Sequence, residues 1–172
     1  VVVTFIVGYL EQFIGFSRTT SLTISTFSMG GFALMIPFVG RLIDRYGRKP
    51  LMTLSALGFF VLSIPLFYAF MTGNATVALC AHLAFGLLMG VYFAAIPAVL
   101  VESFPTHIRY SGISIAHNMS MTIFGGSAPF VVTWLIEAMD NLLAPAFYLM
   151  FASVGSLIGL TLLKDRRGQD LR

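Results

Sequence analysis

The chain has 172 residues, 58% of them hydrophobic and only 10% charged, with a formal net charge of +3. Soluble domains carry about 45–50% apolar and about 25% charged residues, so this composition excludes an ordinary water-soluble domain and points to a protein integral to a membrane. It also argues against nucleic-acid binding, because the basic residues gather at the ends of apolar runs rather than along one helix face.

Crossing about 30 Å of hydrocarbon takes about 20 residues of helix. Residues 1–10 read as the end of a span whose beginning is missing. Val1-Val2-Val3-Thr4 has no initiator Met, basic n-region or cleavage site, so it is expected to be the interior of a helix in a longer protein. Uncharged runs over 20–40 and 51–71 predict the next two spans. The run over 77–101 has His82 as its one titratable group apart from Cys80 and Tyr92, and 112–136 has His117. The run over 144–163 completes the set. The expectation is an all-α, polytopic bundle of five complete spans plus the end of a sixth, followed by a tail over 164–172.

The connections are short and polar: 11–19, the basic turn 41–50, the Thr-Gly-Asn-Ala-Thr stretch 72–76, the charged loop 102–111 with Pro105, and 137–143. Counting Lys and Arg on alternating sides gives Arg41, Arg45, Arg48, Lys49, Arg109, Lys164, Arg166, Arg167 and Arg172 on one side and Arg18 on the other. By the positive-inside rule the first side, including the C-terminal tail, is expected to be cytoplasmic. Within the spans, Gly86/Gly90 and Gly155/Gly159 each place two glycines on one helix face, where backbones can approach closely. Pro37, Pro65, Pro97 and Pro129 are expected to bend or break their helices. Gly30-Gly31 before Pro37 and Gly125-Gly126 before Pro129 form a faint echo between the middle helices of two three-helix units, the kind of internal repeat on which transporters are built. The lone Cys80 forms no intramolecular disulfide and is expected to pack.

Gly40-Arg41-Leu42-Ile43-Asp44-Arg45-Tyr46-Gly47-Arg48-Lys49 fits G-x-L-x-D-R-x-G-R-K. This pattern resembles the loop signature of the major facilitator superfamily of secondary transporters. Glu102-Ser103-Phe104-Pro105 with Arg109 and Gly112 is similar to the loop that closes the tenth helix of that family. Ser114-Ile115-Ala116-His117-Asn118 and Phe124-Gly125-Gly126-Ser127-Ala128-Pro129 resemble the eleventh helix of its metabolite:proton symporter branch, which includes bacterial carriers for proline and betaine, α-ketoglutarate and shikimate. One departure is His117, where the branch often carries an aromatic residue. The resemblance implies one six-helix lobe, from the end of helix seven through helix twelve, of a twelve-helix fold in the bacterial inner membrane. It further implies symport of a small polar metabolite with a proton by alternating access. A lobe without its N-terminal partner is not expected to transport by itself. The alternative is a non-transporting sensor or receptor that keeps the same lobe.

Several residues are candidates for that work. Gly40 and Gly47 permit tight turning. Asp44 can accept from a helix N-terminus, and Arg45, Arg48 and Lys49 can pair with Glu102. Arg109 is expected in the same ion-pair network, which on the family's pattern gates the cytoplasmic side. Glu11, a carboxylate beside hydrocarbon, is a candidate proton carrier, although an interfacial, hydrated role fits it as well. Tyr9, Tyr92 and Phe93 lie in helices that line the cavity in this family. His117 and Asn118 are candidates for the cavity wall, whereas His82 is expected as a hydrogen-bonded residue at the outer interface. The sequence has no nucleophile constellation, phosphate-cradling loop or metal-ligand cluster, so no enzyme activity and no cofactor is expected. The implied partners are the solute, a proton, the bilayer and the missing lobe.

Overall fold

The computed structural model describes residues 5–163. The expected start of the first span and the basic tail with Lys164, Arg166, Arg167 and Arg172 lie outside the described residues. Within them the chain is helical, with no strand. The elements are α1 (Phe5–Gln12), α2 (Arg18–Tyr46), α3 (Arg48–Met71), α4 (Ala75–Ser103), α5 (Arg109–Ser120), a π-helical segment (Met121–Gly126), α6 (Ser127–Met139) and α7 (Ala144–Leu162). The last three pieces before α7 form one continuous helix over Arg109–Met139, and five helices in all are long and apolar enough to span a membrane.

Local chemistry sets the helix ends, and it leaves less loop than expected. The Ser17 Oγ accepts from the Thr20 N–H at 3.2 Å and starts α2. The Asn74 Oδ1 accepts from the N–H groups of Thr76 and Val77 and starts α4. The basic turn expected over 41–50 is almost entirely helical. Helix α2 runs to Tyr46, α3 begins at Arg48, and Gly47 alone separates them. Gly47 sits at φ 96°, ψ 164°, a region essentially restricted to glycine, and its N–H donates to the Ile43 carbonyl at 2.8 Å. Gly40 therefore makes no turn; it lies inside α2 with open space where a Cβ would stand. Helix α4 likewise continues through Glu102 and Ser103, so the charged loop shrinks to 104–108.

In lipid, apolar burial gains little, because lipid tails are as apolar as Leu; close packing and polar ties associate the helices instead. Helix α4 is the centre of this bundle. On one side α2 packs along it, and α2 carries a buried serine stripe, Ser21, Ser25 and Ser28, of which Ser28 lies against α4. A Cβ on Gly86 would lie 3.4 Å from the Ser28 carbonyl oxygen, and one on Gly90 3.4 Å from the Phe32 ring, so Gly86 lets the two backbones approach while Gly90 makes room for a side chain. On the other side the Ser55 Oγ donates to the Leu88 carbonyl at 2.6 Å, tying α3 to α4. Gly155 and Gly159 meet nothing and lie exposed, so that pair joins no helices here.

Two cores result. One is aromatic, built around Phe5, Tyr9, Phe67, Phe70 and Phe85, with Tyr9 and Phe67 edge to face at 5.4 Å. The other, built on Val39, Ile43, Leu51, Met52, Ala56, Ala95 and Leu160, lies at the end marked by Gly47, called here the signature end. Helices α2, α3 and α4 continue through Pro37, Pro65 and Pro97 without a break. Only the helix containing Pro129 loses its α register, in the six residues Met121–Gly126. The Gly-Gly echo therefore does not extend to backbone geometry, because Gly31 sits in an unbroken α-helix where a Cβ would meet Leu83 at 2.9 Å.

Candidate functional site

At the signature end, the start of α3 meets the ends of α4 and α7. The Arg48 Nη1 donates to the Glu102 Oε1 in an ion pair that joins α3 to α4. Their side chains are 33% and 23% exposed, so water still screens the pair and its stabilisation stays near the surface range of about 0–1 kcal/mol. The Lys49 Nζ donates to the Leu163 carbonyl at 2.9 Å, placing a cation just past the C-terminal end of α7, where the helix dipole favours one. Arg48, Lys49, Glu102 and Leu163 line one shallow crevice with Met52, Val99 and Leu160.

Arg41, Arg45 and Arg109 are engaged outside this corner. The Arg45 guanidinium lies 5.6 Å from the Tyr46 ring centroid and that of Arg41 5.9 Å from Phe38, both at cation–π range. Asp44 stands on the exposed face of α2, three residues before Gly47. Arg109 braces its own turn, with its Nε donating to the Phe104 carbonyl at 3.2 Å. Phe104 is also why Gly112 is glycine, since a Cβ there would stand 2.5 Å from the phenyl Cδ1.

The aromatic candidates part company. Tyr9 has no exposed surface; it is enclosed in the aromatic core, and its hydroxyl donates to the Leu142 carbonyl at 2.8 Å. In this lobe it ties α1 to the connection between α6 and α7 and presents nothing to a solute. Tyr92 is half-buried against the signature-end core. Phe93 is exposed and meets Phe32 edge to face at 6.4 Å. Glu11 is exposed in the last turn of α1. His82 is buried, with its ring 6.4 Å from that of Phe70. Asn74 starts α4 two turns earlier, which carries His82 into the core.

His117 and Asn118 are exposed on α5, one turn before the π segment. No residue of α5 or of that segment is buried, and among the described residues no hydrogen bond or ring contact joins the side chain of His117 or Asn118 to Tyr92 or Phe93. Ser120, Thr122 and Ser127 extend the same exposed polar surface. The sequence reading missed the serine stripe of α2 and the π segment. The first could have been found from the i, i+4, i+7 spacing of Ser21, Ser25 and Ser28 on one helix face.

The chain matches the Major Facilitator Superfamily over residues 1–172. It is 31% identical to the proline/betaine transporter of Escherichia coli K12, over 98% of this chain and 34% of that protein. It is 33% identical to the glycine betaine/proline/ectoine/pipecolic acid transporter OusA of Dickeya dadantii, over 91% of this chain and 31% of that protein. It is 32% identical to the ectoine/proline transporter ProP of Corynebacterium glutamicum, over 90% of this chain and 30% of that protein. The chain thus spans about a third of the length of these relatives. The signature residues, the five spanning helices and the match along the whole chain lead to one assignment: this multi-pass membrane chain belongs to the Major Facilitator Superfamily.

Proposed function

We propose that the chain is the C-terminal lobe, from the end of helix seven to helix twelve, of a secondary carrier that moves a small polar solute of the proline/betaine kind with protons. The observation that carries this reading is the match of nearly the whole chain to one third of carriers named for proline, betaine and ectoine. The geometry supports a division of labour. The Arg48–Glu102 pair and the Lys49 cap hold α3, α4 and α7 together at the signature end, so that the lobe can move as a body. The exposed amide of Asn118 and imidazole of His117 are polar groups free to meet a polar solute. Phe93 offers a ring face to an ammonium group. Glu11 remains the candidate proton carrier. The nine basic residues on one side favour a cytoplasmic signature end, a cytoplasmic tail and placement in a bacterial inner membrane.

The test is uptake by the full-length protein in proteoliposomes, with labelled proline and betaine, with and without an imposed pH gradient. Accumulation that requires the gradient is expected. Facilitated equilibration that ignores it would remove proton coupling, and no uptake of either solute would favour the sensor reading. Topology is checked separately by single-cysteine labelling in a Cys80→Ser background, needed because Cys80 is exposed. Labelling at position 49 from outside intact cells would invert the orientation.

A further inference from the structure

The helix Arg109–Met139 is unequal along its length. In its second half Ala128, Val132 and Ile136 are buried, and α6 packs against α7. In its first half nothing is buried, yet its first turn is held by the Arg109–Phe104 hydrogen bond and by Gly112 against the Phe104 ring. The π segment Met121–Gly126 lies between these two fixed ends. A π turn takes up one more residue than an α turn for each hydrogen bond, which is why π-bulges are rare and concentrate at functional positions.

Three features favour the bulge at this place. Pro129 has no N–H, so the Gly125 carbonyl, four residues earlier, has no α-helical donor. The Ser127 Oγ donates to the Ile123 carbonyl within the bulge. Gly125 and Gly126 lower the barrier to backbone rearrangement, and they are not required by packing in this lobe. A Cβ at Gly126 would meet nothing within 4 Å, and one at Gly125 only the Met121 side chain, at 3.8 Å.

We propose that this bulge is a movable register device: it migrates from Met121–Gly126 toward Arg109 by about one turn while both ends of the helix stay in place. Every residue that the bulge passes turns by about 100°, the angle of one residue around an α-helix. Residues His117–Ser120 are the first it would pass. The migration therefore rotates the His117 and Asn118 side chains to a new face without unseating α6 from α7 or α5 from Phe104. Taken with the carrier reading on which its role rests, the device offers or withdraws these two polar groups from the solute.

The experiment measures distances between paired spin labels in the full-length protein in lipid nanodiscs. In a Cys80→Ser background, a label at exposed Met119 is paired with one at exposed Leu162 on α7; labels at Tyr110 and Phe130, also exposed, are each paired with Leu162 as fixed-end controls. At a side-chain radius of about 5–6 Å, a 100° turn displaces a label by about 8 Å. The expected result is two distance populations for position 119 and one each for 110 and 130. Gly125→Ala with Gly126→Ala should leave a single population at 119. Ser127→Ala, which keeps both glycines, should change the ratio of the two populations about two- to tenfold, the worth of one hydrogen bond. A single distance at 119 in the unaltered protein, equal movement of all three positions, or populations indifferent to both variants would overturn the proposal. Uptake assayed on the same preparations keeps the two readings apart. Two populations at 119 without uptake of proline or betaine would leave the device standing and remove the carrier reading. Uptake with a single, unchanging distance at 119 would do the opposite.

Discussion

The signature corner and the α5 arm are two places among the described residues where this apolar chain gathers polar side chains, and the lobe treats them oppositely. In the corner the polar groups are used on one another: Arg48 on Glu102, Lys49 on the Leu163 carbonyl just past α7, Thr53 on the Lys49 carbonyl at 2.9 Å. In the arm His117 and Asn118 are exposed and no residue is buried. A polar group inside a membrane protein is expensive unless it has a partner. The corner meets that cost within the lobe, and the arm leaves it to be met by something else. The first region therefore holds the structure together and the second is the place to look for a solute.

The largest effect should come from breaking the corner at its one irregular residue. Gly47→Ala forces a Cβ into a conformation essentially closed to other residues and should destabilise the lobe by about 1–3 kcal/mol, read as a lower unfolding midpoint in detergent. A smaller loss, about 0.5–1.5 kcal/mol, is expected for Tyr9→Phe, which removes only the hydroxyl bond to the Leu142 carbonyl. Because Tyr9 is enclosed, its substitution should leave apparent solute affinity unchanged; a shifted affinity would return Tyr9 to the cavity wall. Smaller still is the coupling between Arg48 and Glu102. A double-mutant cycle with Arg48→Ala and Glu102→Ala should give about 0–1 kcal/mol, weakening as salt is raised. Coupling well above that range would mean that the full-length protein shields this pair from water. Asn118→Ala should change stability least, within about 0.5 kcal/mol, yet move apparent solute affinity by up to about tenfold. The reverse pattern, lost stability with unchanged affinity, would make the arm a packing surface and erase the contrast.

The features that were legible in the sequence were those made conspicuous by scarcity. Charges are rare here, so the Arg41–Lys49 cluster and Glu102 stood out, and uncharged runs of sufficient length gave the five spanning helices. Helix ends were misread for the same reason. Arg41, Asp44, Arg45 and Glu102 looked like loop, although charged side chains at a span end are compatible with continued helix, and only Gly47 breaks the chain. Tyr9 was placed on the cavity wall by family pattern alone, although Phe5, Ile6, Tyr9 and Leu10 share one face of α1 and Glu11 and Gln12 lie off it, the periodic signal of a face that turns inward. The burial of His82 gave no such signal, because α4 is apolar nearly all round. The serine stripe of α2 was passed over because serine reads as neutral in a hydropathy scan, although its small size lets α2 lie close to Gly86. The π segment was hidden for another reason: Gly125-Gly126 with Pro129 signals a disturbed helix but not its kind, and the similar Gly30-Gly31 with Pro37 leaves α2 undisturbed.

The contrast between corner and arm reduces to whether a solute meets the arm. In the full-length protein carrying Cys80→Ser and His117→Cys, the rate of thiol labelling at position 117 is measured with and without saturating proline or betaine. Clear slowing of labelling by the solute is predicted, with no change at an Arg45→Cys control on the exposed end of α2. Equal rates at position 117 with and without solute, in a preparation that still takes the solute up, would contradict the account.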